Sequence, residues 1–177
     1  IEHGGRTIAE TTRAIRILET SQPPGIYLPP DDVDLSVLRP SPEATFCEWK
    51  GTASYVHLVV PGTEPVVDAG WTYPSPSPRF EAITGYYAFY PQRVDACFVD
   101  DEQVEGNEGS FYGGWITSKV VGPFKGGDGT LEASGDATLG SDPEARLQVL
   151  ADHFRLLGRI DRRLVASVRN LLELGQA

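Results

Sequence analysis

A thiol, an amine, a phenol and an imidazole stand close together in one short stretch of the chain, as Cys47, Lys50, Tyr55 and His57. A lysine withdrawn from water could bind an anionic group or act as an amine nucleophile, whereas a lysine in an open turn would be solvated. Cys47 would be a nucleophile if Lys50 or His57 stabilised its thiolate, and otherwise a buried, unreactive thiol. Tyr55 and His57 would share one face of a strand, and His57 is alternatively a structural histidine. We include all four among the expected ligand-binding residues.

Aromatic side chains recur in segments that have the composition of strands. Trp71 and Tyr73 are two positions apart, as are Tyr87 and Phe89, and such residues share a face in a strand. Together with Tyr55 they would line a pocket for a planar or apolar ligand, with tyrosine hydroxyls fixing its orientation. The competing interpretation is ordinary core packing, which we expect for most of these rings.

A glycine-rich region follows from residue 109 to residue 129. In Phe111-Tyr-Gly-Gly-Trp115 the paired glycines allow a sharp turn, so we expect Tyr112 and Trp115 to cover the pocket as a lid. The later Gly122-Pro-Phe-Lys-Gly-Gly-Asp-Gly129 lacks the Gly-Lys-Ser/Thr that precedes the helix of a phosphate-binding loop. The sequence therefore predicts no P-loop.

Metal and cofactor chemistry has little support in the sequence. Cys47 and Cys97 are isolated, so the four soft ligands of a closed zinc site are missing. The acidic residues from Asp95 to Glu102 indicate a solvated turn rather than converging metal ligands. We predict no zinc, no other metal and no cofactor. Two free thiols, rather than one disulfide, also favour a reducing cytoplasmic environment.

Composition excludes several classes of partner. The chain has 177 residues with 25 acids against 15 bases, a net charge of -10. Such a surface repels nucleic acid and anionic membranes, and no apolar run approaches the roughly 18 residues of a membrane span. We expect a soluble, acidic protein. Because the sequence begins at Ile1 and contains no Met, we expect a processed or trimmed N-terminus.

Local patterns predict a mainly β region over residues 1–130. Lys50-Gly51 indicates a tight turn in which Gly51 has positive φ, Pro40-Ser-Pro42 a chain break, and 100–107 an acidic turn. Short helical turns are expected at 31–38 and 79–83. Alternating or β-branched segments predict strands at 6–9, 14–18, 25–28, 45–49, 53–60, 66–73, 86–90, 94–99 and 115–121.

The remaining sequence differs in kind. After a linker at 131–140, Asp142 and Pro143 have the types of an N-cap and a first helical residue, and large apolar residues recur at helical spacing from Leu147 to Leu172. We expect a helical extension over 141–177. Its apolar stripe must be buried, either on its own chain or, as we expect, in a homodimer formed through 142–174.

Three groups of residues together are recognisable: Thr45-Phe-Cys-Glu-Trp-Lys-Gly-Thr-Ala-Ser-Tyr55; Trp71-Thr-Tyr-Pro74 with Ala88-Phe-Tyr-Pro91 and Val94-Asp95; and Phe111-Tyr-Gly-Gly-Trp-Ile-Thr117 with Gly122-Pro-Phe-Lys-Gly126. Upstream, Leu18-Glu-Thr with Pro23-Pro24 also fits. Over about residues 3–130 the chain resembles the domain of unknown function 427, also labelled a nucleotidyltransferase family. The resemblance implies a β-tent, two small antiparallel sheets with a pocket between them. Several β-tent relatives hold zinc between two Cys-x-x-Cys pairs, which this chain lacks.

Two functions from different classes remain. In the first, the protein binds a small molecule in an aromatic pocket and is either a binding protein or an enzyme. In the second, it is a non-catalytic interaction module whose C-terminal helices mediate dimerisation or partner binding.

Overall fold

The computed structural model describes residues 1–108, 112–122 and 124. These residues belong to the first of two units into which the chain divides, Ile1–Gly135, and the second is Asp136–Ala177. The predicted linker at 131–140 and the helical extension at 141–177 lie outside the described residues.

The described residues are mainly β, which confirms the predicted class, and every strand pairing among them is antiparallel. The strands are β1 Glu2–His3, β2 Arg6–Thr7, β3 Ile15–Ile17, β4 Gly25–Tyr27, β5 Leu38–Cys47, β6 Gly51–Leu58, β7 Val66–Thr72, β8 Tyr87–Phe89, β9 Phe98–Val99, β10 Glu102–Gln103, β11 Glu105–Gly106 and β12 Trp115–Ile116. Short 3-10 helices cover Pro30–Asp32, Leu35–Val37, Pro78–Ile83 and Pro91–Arg93. No helix among the described residues has the length and apolar character needed to cross a membrane.

The largest sheet has the order β5-β6-β7-β8, and a separate hairpin pairs β3 with β4. An isolated antiparallel bridge joins Leu28, just after β4, to Tyr87 of β8. Each of these two residues donates its N–H to the other's carbonyl, at 2.8 and 2.9 Å. The bridge therefore holds the β3–β4 hairpin beside the far edge of the large sheet.

The turn between β5 and β6 determines where Lys50 lies. Cys47 pairs with Gly51, so three residues form the loop, and Gly51 has φ +99° as its sequence context predicts. The loop is anchored to the segment before Pro78–Ile83, because Ser77 donates its N–H to the Lys50 carbonyl and its hydroxyl to the Trp49 carbonyl. Lys50 is thus held at the start of β6.

One part of the large sheet differs from expectation. Pro40-Ser-Pro42 does not break the chain but lies within the edge strand β5, where the pairing with β6 shifts between Pro40 and Ala44. An edge strand with a bulge tolerates residues that lack an N–H. Residues 41–43 therefore stay extended between the two paired parts of β5.

Two strand predictions were too broad, and one predicted turn contains strands. Of the expected strand 94–99 only Phe98–Val99 is one, and of 115–121 only Trp115–Ile116. The acidic segment 100–107, expected as a turn, contains β10 and β11. Composition did not show these short pairings, because each depends on a partner elsewhere, as β11 does on β12.

Hydrophobic side chains form two clusters. The larger one includes Leu58, Phe89, Cys97 and Trp115 and lies away from the Lys50 loop. The second contains Tyr27, Ala53, Tyr73, Ile83 and Ala88, with further aromatic residues packed against it. Tyr27, Ala53 and Tyr73 of this second cluster line the cavity described next.

Candidate functional site

A cavity of about 660 Å³ opens beside the loop between β5 and β6. Its walls come from the β3–β4 hairpin and its loop, the β5–β6 hairpin, β7 and the segment 112–114. The lining residues are Leu18, Glu19, Thr20, Gln22, Pro23, Gly25, Tyr27, Thr45, Phe46, Cys47, Glu48, Trp49, Lys50, Ala53, Tyr55, Trp71, Tyr73, Arg79, Phe80, Tyr90, Tyr112, Gly113 and Gly114. The volume lies within the range of small-molecule sites.

Lys50 is a buried residue of the cavity wall. Its side chain is 7% exposed, so the interpretation of Lys50 as a solvated turn residue is wrong. The ammonium Nζ donates to Oε2 of Glu19 at 2.5 Å. It also lies 6.0 Å from the ring centre of Tyr73 and 5.9 Å from that of Phe80, within the range of cation–π attraction. A compensated ion pair, rather than a lone cation, therefore faces the cavity.

Glu19 is the site residue that sequence reasoning missed. It lies in the loop after β3, thirty-one positions from Lys50. The available signal was its place in Leu18-Glu-Thr, one of the segments on which the family resemblance depends. No local pattern in a single sequence reveals that this glutamate is the partner of Lys50.

Aromatic rings in contact with one another form one wall of the cavity. Tyr27 packs edge-on against Trp71 with ring centres 6.4 Å apart, and its hydroxyl accepts a long hydrogen bond from Trp71 Nε1 at 3.4 Å. Tyr73 lies 6.3 Å from Tyr27, and Tyr90 lies 4.7 Å from Trp71. Burial raises the pKa of Tyr27, Tyr73 and Tyr90 above the usual tyrosine range. These phenols are therefore neutral hydrogen-bonding groups.

Tyr55 lines the cavity beside this wall and shares a hydrogen bond with Thr45, 3.0 Å between the two hydroxyl oxygens. Cys47 also lines the cavity as a half-buried free thiol, while Cys97 is buried in the larger cluster. Burial raises the pKa of Cys97 to about 12, so that thiol is unreactive at neutral pH. Six of the eight sequence-predicted residues thus line one cavity: Cys47, Lys50, Tyr55, Trp71, Tyr73 and Tyr112.

Residues 112–114 line the cavity between Trp71 and Pro23. A Cβ on Gly113 would stand 2.5 Å from the Trp71 ring, and one on Gly114 would stand 2.8 Å from Pro23. The glycines are therefore required for close approach to the walls, and they bring Tyr112 to the cavity.

Trp115 lies elsewhere. It is buried in the larger cluster, and its Nε1 donates to the Phe89 carbonyl at 3.2 Å. Its backbone N–H bonds to the Pro24 carbonyl at 2.9 Å. Its amphipathic ring is satisfied in the core, so Trp115 anchors the segment 112–114 instead of covering the cavity.

His57 lies outside the cavity as well, two positions beyond Tyr55 along β6. Its Nδ1 accepts the backbone N–H of Asp68 at 3.0 Å, so Nδ1 carries no proton. The 3.4 Å contact of the same nitrogen with Asp68 Oδ1 therefore joins two acceptors and is not an ion pair. His57 makes no contact with Cys47 among the described interactions, and the two form no nucleophile–base pair there.

The described part of the chain offers no group of three or more His, Cys, Asp or Glu side chains that could hold a metal ion. In the acidic segment, Glu102 is occupied in accepting hydrogen bonds from the N–H and hydroxyl of Ser118. These bonds lower the pKa of Glu102 below its usual value. That carboxylate is a structural acceptor.

The fold and site define a mainly β domain whose antiparallel strands surround an aromatic-walled cavity with a buried lysine–glutamate pair. The chain belongs to the family described as a domain of unknown function (DUF427), whose model, NTP_transf_9, matches residues 1–100. This confirms the resemblance drawn from the sequence motifs. No curated protein matches the chain. Except for residues 112–114, all the cavity-lining residues fall within the matched range.

Proposed function

We propose that this protein binds a small, planar molecule in the aromatic cavity, and that the β5–β8 sheet and the β3–β4 hairpin are the two sides of a β-tent. The observation that carries the proposal is the Lys50–Glu19 pair in the cavity wall. Taking two charges out of water is costly, and apolar side chains of similar volume often stabilise a fold better. A largely buried ion pair in the wall of a cavity is better explained by recognition than by stability.

The surrounding rings support the same proposal. Tyr27, Tyr73 and Trp71 hold one another in fixed orientations through ring contacts and a hydrogen bond. A wall ordered in advance loses little conformational freedom on binding, which favours affinity for a flat molecule that stacks on it.

We favour binding over catalysis. General acid–base chemistry needs a group that titrates near neutrality, and burial moves the pKa of Tyr27, Tyr73 and Tyr90 the other way. Cys47 has no imidazole partner among the described contacts, because His57 is bonded to Asp68. A cytoplasmic location fits the two free thiols.

A second proposal concerns residues 142–174 and comes from the sequence alone. Their apolar spacing supports homodimerisation, in which case the protein also serves as an interaction module. Deleting 141–177 should then convert a dimer into a folded monomer in sedimentation velocity. A full-length chain that already sediments as a monomer would contradict it.

The binding proposal is tested by native mass spectrometry of the purified protein and by tryptophan fluorescence during titration with quinoline, a flat apolar probe. We expect a retained small molecule or saturable quinoline binding, and a loss of affinity of at least about tenfold in Trp71→Ala. Phe98→Ala removes an exposed ring outside the cavity and is the matched control. Absence of any bound mass together with no saturable response would contradict the proposal.

A further inference from the structure

The described walls of the cavity contain a balanced set of charges: Glu19 and Glu48 against Lys50 and Arg79. Glu48 and Arg79 are exposed to water, which screens them. Lys50 is the buried charge, and Glu19 already neutralises it at 2.5 Å. A ligand that reaches this wall therefore meets no net charge.

An anionic group would be a poor occupant of this position. To bind Lys50 it must either displace the Glu19 carboxylate or lie beside it as a second negative charge. An anionic ligand group next to the Glu19 carboxylate would be repelled strongly, because both charges are partly removed from water there. The Glu19 side chain is only 25% exposed. The net charge of -10 on the whole chain adds long-range repulsion.

The pair nevertheless has unused hydrogen-bonding capacity. An ammonium group carries three donors, and among the described residues Nζ of Lys50 uses one, to Oε2 of Glu19. Oε1 of Glu19 accepts no hydrogen bond from the described residues. A donor and an acceptor thus stand next to each other in the wall, held together by their own ion pair.

We infer that the ligand is an uncharged planar ring with an adjacent N–H and C=O, the edge of a lactam, cyclic imide or oxo-heterocycle. The C=O accepts from Lys50 while the N–H donates to Glu19, and the ring faces lie against the aromatic wall of Tyr27, Trp71 and Tyr73. Both bonds involve a charged partner, which makes them the strong kind. This inference deepens the proposed function and rests on it.

Four probes of nearly equal shape test this inference in the full-length protein: the lactam carbostyril, N-methylcarbostyril, naphthoate and quinoline. Affinities are measured by tryptophan fluorescence and calorimetry. We expect carbostyril to bind best. N-methylation removes the donor and should weaken binding about tenfold to a hundredfold, the loss of one charge-assisted hydrogen bond.

Substitution of the glutamate should invert the preference. In Glu19→Gln the charge of Lys50 is no longer matched, so naphthoate should tighten at least about tenfold while carbostyril weakens. Glu64→Gln is the matched control: it removes the same charge from an exposed residue outside the cavity lining and leaves the ion pair intact, so it should preserve the order. Circular dichroism confirms that both variants are folded.

The outcomes distinguish a wrong ligand class from a wrong binding function. If quinoline binds at Trp71 but naphthoate equals or exceeds carbostyril in the unsubstituted protein, the ligand class is wrong and the binding function stands. An unchanged order in Glu19→Gln would likewise overturn the ligand class. If none of the four probes binds, both the ligand class and the binding function are wrong.

Discussion

The two ends of β6 each place a basic side chain beside an acidic one, with different results. At the start, Lys50 forms a direct ion pair with Glu19 and faces the cavity. Near the end, His57 uses its ring nitrogen to accept the backbone N–H of Asp68, and Asp68 Oδ1 is buried with no hydrogen-bond partner among the described residues. The first arrangement fixes two opposite charges beside an open volume. The second fixes a backbone irregularity, because Asp68 has φ +49°.

Titratable residues that lie close together along one strand do not by themselves define a binding site. Lys50 and His57 belong to one strand and its turn, yet the cavity lining includes one and not the other. Lys50 differs from His57 in two respects: it borders the cavity, and its ion pair with Glu19 has hydrogen-bonding groups available to a ligand there.

The largest stability effect is expected from breaking the cavity pair. Lys50→Met leaves Glu19 without its counter-ion, and we expect a loss of about 2 kcal/mol in the free energy of unfolding, reduced from the fully buried case because Glu19 is partly exposed. The double variant Lys50→Met with Glu19→Leu should recover to within about 1 kcal/mol of the parent while losing carbostyril binding. Denaturant unfolding measures both. A double variant less stable than Lys50→Met would mean that the pair exists for the fold.

The next largest stability effect is expected where residues 112–114 approach the cavity wall. In Gly113→Ala the new Cβ would meet the Trp71 ring at 2.5 Å, so the ring or the segment must move. We expect a loss of roughly 1 to 2 kcal/mol in stability, a shifted tryptophan emission and weaker quinoline binding.

Gly25→Ala is the control at another glycine of the cavity lining, since its Cβ would meet nothing closer than 3.3 Å. If Gly113→Ala and Gly25→Ala behave alike, the close approach of residues 112–114 does not shape the cavity.

Substitutions at the far end of β6 should change the stability of the fold and leave ligand binding unchanged. His57→Ala removes the acceptor of the Asp68 N–H and should cost about 1 kcal/mol. Asp68→Gly should be neutral or stabilising, because glycine tolerates positive φ and the orphaned oxygen disappears. Carbostyril affinity should match the parent in both variants. A binding change in either would place this end of β6 in the site.

A third acid–base pair, on the surface, completes the series. Hydrogen bonds from Arg13 and Thr11 hold the pKa of Asp32 below its usual value. A carboxyl with a lowered folded-state pKa adds stability above its unfolded-state pKa of about 3.8, and that stability is lost as the pH falls through the folded-state value. Asp32→Asn should therefore lower stability slightly at neutral pH, match the parent at low pH, and so flatten the acid side of the stability–pH curve. An unchanged acid side would contradict this.

The sequence predicts those features of the molecule that depend on residues close together along the chain. Residue types at short spacing predict the turn that ends at Gly51, the strand that contains Trp71, and the family membership. The partner of Lys50 could not be predicted, because Glu19 reaches it only through the tertiary fold. The burial of Trp115 likewise depends on carbonyls of Phe89 and Pro24, which are distant in sequence.

The most direct test of the central claim is a nitrogen-15 NMR titration of the assigned full-length protein with carbostyril. The account predicts saturable shifts of the Lys50 side-chain ammonium and of the Trp71 indole N–H, with the amides of His57 and Asp68 unmoved. Shifts confined to the His57 end of β6, or none at the Lys50 ammonium while carbostyril binds, would contradict it.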